Sequence, residues 1–146
     1  MCNPVHQDDP AITNEDRLFR RIHLTQLVRD DDTGFARVSS GAFRDKELSI
    51  NIESILLRED KTAAACLQNY LAHKLVSITA RTARQNRQAV CRDPLPYDIS
   101  HGLVYGSKNN RRIPDGLRDS AEWIIPAQAP LFADILQEKR AQGIPE

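Results

Sequence analysis

ELSINIESILL, residues 47–57, is the stretch on which the reading of the fold turns. Leu48, Ile50 and Ile52 alternate with Ser49, Asn51 and Glu53, the period of a strand with one buried and one wetter face. Parallel sheets are covered on both sides and read as continuous apolar runs, so this pattern points to antiparallel pairing. Upstream, RDDDTGF (29–35) is a turn signal, because clustered acids and Thr33 bond locally and Gly34 accepts a positive φ. A strand is expected before it over Leu18–His23, and another after it in FARVSSGAF, which Gly41 breaks.

Downstream, KTAAACLQNYLAH (61–73) places Ala64, Leu67 and Leu71 at helical spacing and predicts a helix. KLVSITART then changes period: Val76, Ile78 and Ala80 alternate with Ser77, Thr79 and Arg81, so a strand leaves the helix. Pro94 and Pro96 forbid regular pairing around Leu95, and GLVYG (102–106) is a short strand beyond them. IPDGLRDSAEWII puts Leu117, Ala121 and Ile124 on one helical face, with Pro114 and Asp115 suited to a first turn. PLFADILQEKRAQG gives the last helix, with Pro130 at its start, Lys139 and Arg140 in its last turn and Gly143 as its stop. The expected fold is a single α+β domain with a mainly antiparallel sheet and two to three helices. Residues 1–15 read as a disordered arm, 16–125 as the core and 126–146 as a C-terminal helix available for docking.

Lys plus Arg equal Asp plus Glu at 20 each, so net charge alone draws in neither nucleic acid nor an anionic membrane. No stretch has the roughly 18 apolar residues of a membrane span, and the opening MCNPVHQDDPAITNED lacks the apolar core of a secretory signal, so a cytoplasmic location is expected. Cys2, Cys66 and Cys91 are an odd number without close pairing and read as free thiols, with no CxxC spacing for zinc. Phosphate loops of the GxxxxGK[ST] and GxGxxG types and the GxSxG elbow are missing, and neither a cofactor nor a metal is expected.

Chemistry has few places to sit. His101 lies in DPLPYDISHGLVYGSK (93–108) at the start of one strand, and His23 closes another. Were these ends side by side, the two imidazoles would serve as acid and base, Arg21 as an anion clamp and Ser39 or Ser40 as orienting hydroxyls. The plainer reading is that a histidine at a strand end caps a loop carbonyl, and that the two serines finish a strand. Basic residues gather in Arg81, Arg84, Arg87 and Arg92, and again in Lys108, Arg111 and Arg112. Arg81, Arg84, Arg111 and Arg112 on one edge would grip a phosphate backbone, although aromatics for base stacking are sparse. On the last helix Leu131, Ile135 and Leu136 form an apolar docking face.

The segments LFRRIHLTQLVRD, RVSSGAF, LSINIES, RQAVCRDPLPYDISHGLVYGSK and SAEWII together resemble a group of small uncharacterised bacterial proteins. The shared pattern is an RRIH start, an SSxAF segment, a DP loop leading through a histidine into a short strand, and an AEW end, over about residues 17–125. The resemblance implies one domain in a bacterial cytoplasm and no particular activity; Gly102 stands where the pattern has alanine. The expectation favoured by these observations is an interaction or accessory module that binds another protein. The alternatives are a small hydrolase or transferase acting on a nucleotide-like or other anionic substrate, and a binder of nucleic-acid backbone.

Overall fold

The strand β1 (Arg17–His23) runs through the interior of the sheet and is paired on both sides. β4 (Glu47–Ile52) lies against one edge through Leu18↔Ile52 and Phe19↔Asn51, and β5 (His73–Thr79) against the other from Arg17↔Thr79 to His23↔His73. β7 (His101–Tyr105) and then β6 (Ala89–Arg92) extend the sheet beyond β4, and β8 (Glu122–Ile125) extends it beyond β5. The sheet order is β6-β7-β4-β1-β5-β8, with every pairing antiparallel. Across the acidic turn, β2 (Leu27–Arg29) and β3 (Ala36–Val38) form a separate two-stranded ribbon, with Gly34 at φ 76° as the turn demands. The computed structural model describes residues 6–145, so Cys2 and the first part of the expected arm lie outside them.

Alternation sorts the sheet into two faces. Leu18, Ile22, Ile50, Ile52, Val76 and Ile78 enter the main core, which the ribbon, Ala42 and Phe43, α2 (Ala80–Gln85), α3 (Arg112–Ser120) and α4 (Phe132–Ala141) close off. On the other face Phe19 and Leu75 meet Leu56 and Cys66 in a smaller cluster beneath α1 (Glu53–Arg58) and a 3-10 turn, Ala63–Leu67. The face expected to be wet is therefore partly roofed, and polar residues on it, Asn51 among them, are buried. The molecule is a single small α+β domain, and among the described residues it has four α-helices.

Several elements differ from expectation for identifiable reasons. Strand alternation stops at Ile52, where Asp16 receives both the backbone N–H and the hydroxyl of Ser54 and so fastens the start of α1. The helix expected over Lys61–His73 is reduced to the 3-10 turn, and Leu71, meant for a buried stripe, is 85% exposed. The segment 113–125 divides at Ala121 into α3 and β8, because Trp123 and its neighbours find a partner in β5. Instead of a loose arm, residues 6–12 follow the outer edge of β6. Asp9 N–H donates to Val90 O (2.8 Å), Asp8 Oδ1 accepts from Val90 N–H (2.9 Å), and Asp9 takes the Arg92 guanidinium at 2.6 Å. Those acids pair with arginines some eighty positions downstream, which composition alone does not disclose.

Candidate binding site

Arg21 projects from β1 onto the partly roofed face, two residues along from Phe19. Asn51 projects from β4 onto the same face, and the loop between β6 and β7 brings Asp98 and Ser100 over it. Arg21 Nη1 donates to Asn51 Oδ1 (3.2 Å) and to the Cys66 carbonyl (3.3 Å). Asn51 Nδ2 donates to Asp98 Oδ1 and to Ser100 Oγ, both at 2.8 Å, and the Ser100 hydroxyl donates to Asp98 Oδ1 at 3.2 Å. The amide orientation is forced, since a guanidinium only donates and a carboxylate only accepts. The Tyr70 ring lies under the Arg21 guanidinium, 3.9 Å from its centroid.

These groups floor a cavity of about 320 Å³ whose mouth carries Lys61, Tyr70 and Tyr97. Among the described residues no carboxylate lies within 4.0 Å of Arg21; the Asp98 carboxylate lines the same cavity but reaches Arg21 only through the Asn51 amide. Tyr97 is 84% exposed, Ile99 beside it is exposed too, and so is Leu71 next to Tyr70. Cys66 lines the cavity, but burial pushes its thiol up to about 11, so it remains protonated and poorly nucleophilic at neutral pH.

The remaining candidates disperse. His101 is 7% exposed, and its Nδ1 bonds the Asp93 carbonyl (2.9 Å) with the Asp93 carboxylate at 3.3 Å; it secures the loop and does not line the cavity. His23 caps a 3-10 turn: its Nδ1 accepts from Thr25 N–H, and its ring meets His73 edge-on at 4.9 Å. Four residues along β1 and two strands across separate His23 from His101, about 16 Å at ordinary strand spacings. Burial, followed by the charges of His23, Arg21 and Arg20, holds the His73 imidazole below its usual range. Ser39 and Ser40 stand on the opposite side of the sheet, where Ser40 Oγ accepts from Arg44 at 3.3 Å. Of the expected catalytic set, the cavity holds Arg21 alone.

The arginine clusters are largely neutralised from within. Arg81 pairs with Glu15 at 2.7 Å, Arg84 with Asp8 at 3.0 Å and Arg111 with Asp115 at 3.8 Å, whereas Arg112 is exposed and has no carboxylate of the described residues within 4.0 Å. On α4, Ile135 is fully buried in the main core; Leu131 and Leu136 flank a shallow apolar cleft beside Phe132. The described residues contain no group of three or more His, Cys, Asp or Glu side chains able to hold a metal ion. Nor is any helix among them long and apolar enough to cross a membrane. Asn51, Asp98, Ser100 and Tyr70 escaped the sequence reading. The available signal was Asn51 itself, a lone amide between Ile50 and Ile52 that needs partners once its face is covered. No family model, curated protein or solved structure matches the chain.

Proposed function

We propose that the protein is a binding module that captures an acidic peptide segment of another protein, its carboxylate on Arg21 and its apolar neighbours against Tyr97 and Leu71. The observation that carries this reading is the Arg21 guanidinium, with no carboxylate of the described residues in direct contact, held on an interior strand and backed by Tyr70, while the Asn51 amide occupies Asp98. A carboxylate completes its free donors in a charge-assisted pair. Peptide is favoured over a small anion because exposed Tyr97 lines the cavity and exposed Ile99 and Leu71 are chain neighbours of the lining residues Asp98, Ser100 and Tyr70, offering apolar surface that an isolated anion leaves uncovered. Binding is favoured over catalysis because the only thiol in the cavity is held protonated and His23 and His101 share no cavity.

A displayed library of random peptides, selected on the protein, tests the proposal. Selected sequences are expected to carry an Asp, a Glu or a free C-terminal carboxylate flanked by apolar residues. Their binding should weaken about 10- to 100-fold on Arg21→Met, the range of a charged hydrogen bond. Tyr97→Ala, at a side chain already in solvent, should weaken it several-fold with the Tm unchanged. Selected peptides without an acidic group, or with equal affinity for both variants, overturn the reading.

A further inference from the structure

A second cleft, of about 210 Å³, lies where the end of α2 meets the start of α3, lined by Gln85, Asn86, Arg87, Asn110, Arg112 and Ile113. We infer that this cleft binds a single phosphoryl group, such as that of a phosphomonoester, between Arg87 and Arg112.

Within the two basic clusters, 81–92 and 108–112, the internal ion pairs and the burial of Lys108 leave these two cations. Arg81, Arg84, Arg92 and Arg111 each have a carboxylate within 3.8 Å, and Lys108 is buried with its ammonium on backbone carbonyls. Among the described residues Arg87 and Arg112 have no acidic partner, and no carboxylate lines the cleft. Asp115, the acid in the first turn of α3, lies between Arg111 and Arg118 at 3.8 and 3.6 Å. Two guanidiniums from different elements line one small cleft, and a phosphoryl dianion offers them three terminal oxygens and two charges where a carboxylate offers two oxygens and one. Asn110 Oδ1 accepts from the Arg112 backbone N–H at 3.0 Å, which leaves the Nδ2 hydrogens of the side chain as further donors.

The backbone at Arg87 supplies an independent argument. α2 ends with Arg87 N–H bonded to Arg84 O and Gln88 N–H to Ala83 O, which puts residue 87 in the left-handed conformation at φ 62°. Glycine is the usual residue at this place in a helix end, because a Cβ there is strained. Arg87 is exposed and has no acidic partner among the described residues, so no internal ion pair offsets the strain. What its side chain does contribute is charge beside Arg112. Paired neighbours leave no run of free cations long enough to track a polynucleotide, so the ligand is one phosphoryl group.

The test is an NMR titration of ¹⁵N-labelled protein with inorganic phosphate and with glycerol phosphate, against sodium chloride at matched ionic strength. Saturable shifts confined to residues 85–88 and 110–113 are expected with both phosphates and absent with chloride. Arg87→Gly and Arg112→Gln should each weaken binding about tenfold or more. Arg87→Gly should also leave Tm unchanged or raise it by up to about 4 °C, since glycine relieves the strain; Arg87→Asn, another residue tolerant of this conformation, should reproduce the binding loss. The inference is overturned by equal shifts with chloride, by binding retained in these variants, by a Tm lowered in Arg87→Gly, or by single-stranded DNA binding that tightens with length.

Discussion

Three residues each close a local accounting of polar groups or volume. Asn51 satisfies a cation on one side and an acid and a hydroxyl on the other, so Asn51→Leu takes a partner from Arg21, Asp98 and Ser100 at once, leaving Arg21 the Cys66 carbonyl and Ser100 and Asp98 each other. A loss of about 1–3 kcal/mol in urea denaturation is expected, the cost of buried polar groups left unpaired. Gly102 on β7 lies so close to its neighbours that an added Cβ meets Cys91 O at 2.7 Å and Ile52 Cδ1 at 2.8 Å. Backbone cannot yield as a flexible side chain does, and Gly102→Ala should destabilise by about 1–3 kcal/mol in the same measurement. Lys108 donates to the carbonyls of Lys46, Val104 and Gly106, and burial lowers its ammonium to about 8. Above that pH the folded chain has released this proton while the unfolded chain, near 10.5, keeps it. Stability relative to Lys108→Met should therefore be flat below about pH 8 and rise between pH 8 and 10, as read by denaturation midpoints.

Among the elements, β6 is a sheet edge that residues 6–12 cover, through Asp9 N–H on Val90 O and Asp8 Oδ1 on Val90 N–H. Deleting residues 1–10 uncovers that edge and strands the Arg92 guanidinium. The expected outcome is a lowered denaturation midpoint together with concentration-dependent association in analytical ultracentrifugation, since bare edges template pairing with other chains. Legibility at this scale followed local physics. The alternating strands around Leu18–His23, Glu47–Ile52 and Val76–Thr79, the acidic turn and α4 were readable because period and punctuation agree there. Residues 61–73 misled because helix-forming alanines describe intrinsic preference, whereas Cys66 and Ala63 are drawn to the Phe19 cluster and the backbone follows in a tighter 3-10 path. β8 was hidden inside a helical pattern, its pairing with β5 decided by residues some forty-five positions away.

Across the whole molecule the two clusters share β1, Leu18 and Ile22 facing one and Phe19 the other, so neither can open far without disturbing the other. In a Cys2→Ser chain, labelling of Cys66 and Cys91 by a thiol reagent in urea should follow the same transition as far-UV circular dichroism; earlier labelling of Cys66 would show the smaller cluster opening on its own. The fold class could be read because antiparallel alternation is a local signal that states a global architecture. The cavity could not, since Arg21, Asn51, Asp98 and Ser100 meet only when β1, β4 and the loop before β7 are laid side by side. The interior place of β1 has a further consequence for recognition. Its amides, paired with β5 along the whole strand and with β4 at Leu18 and Phe19, should exchange with solvent more slowly than those around Tyr70 and Tyr97, which lie outside the sheet. Should exchange divide in this way, the proposed site would demand one fixed charge of its ligand while tolerating variety in what flanks it. Such a division suits a receptor that reads a single residue strictly and the rest of the segment loosely.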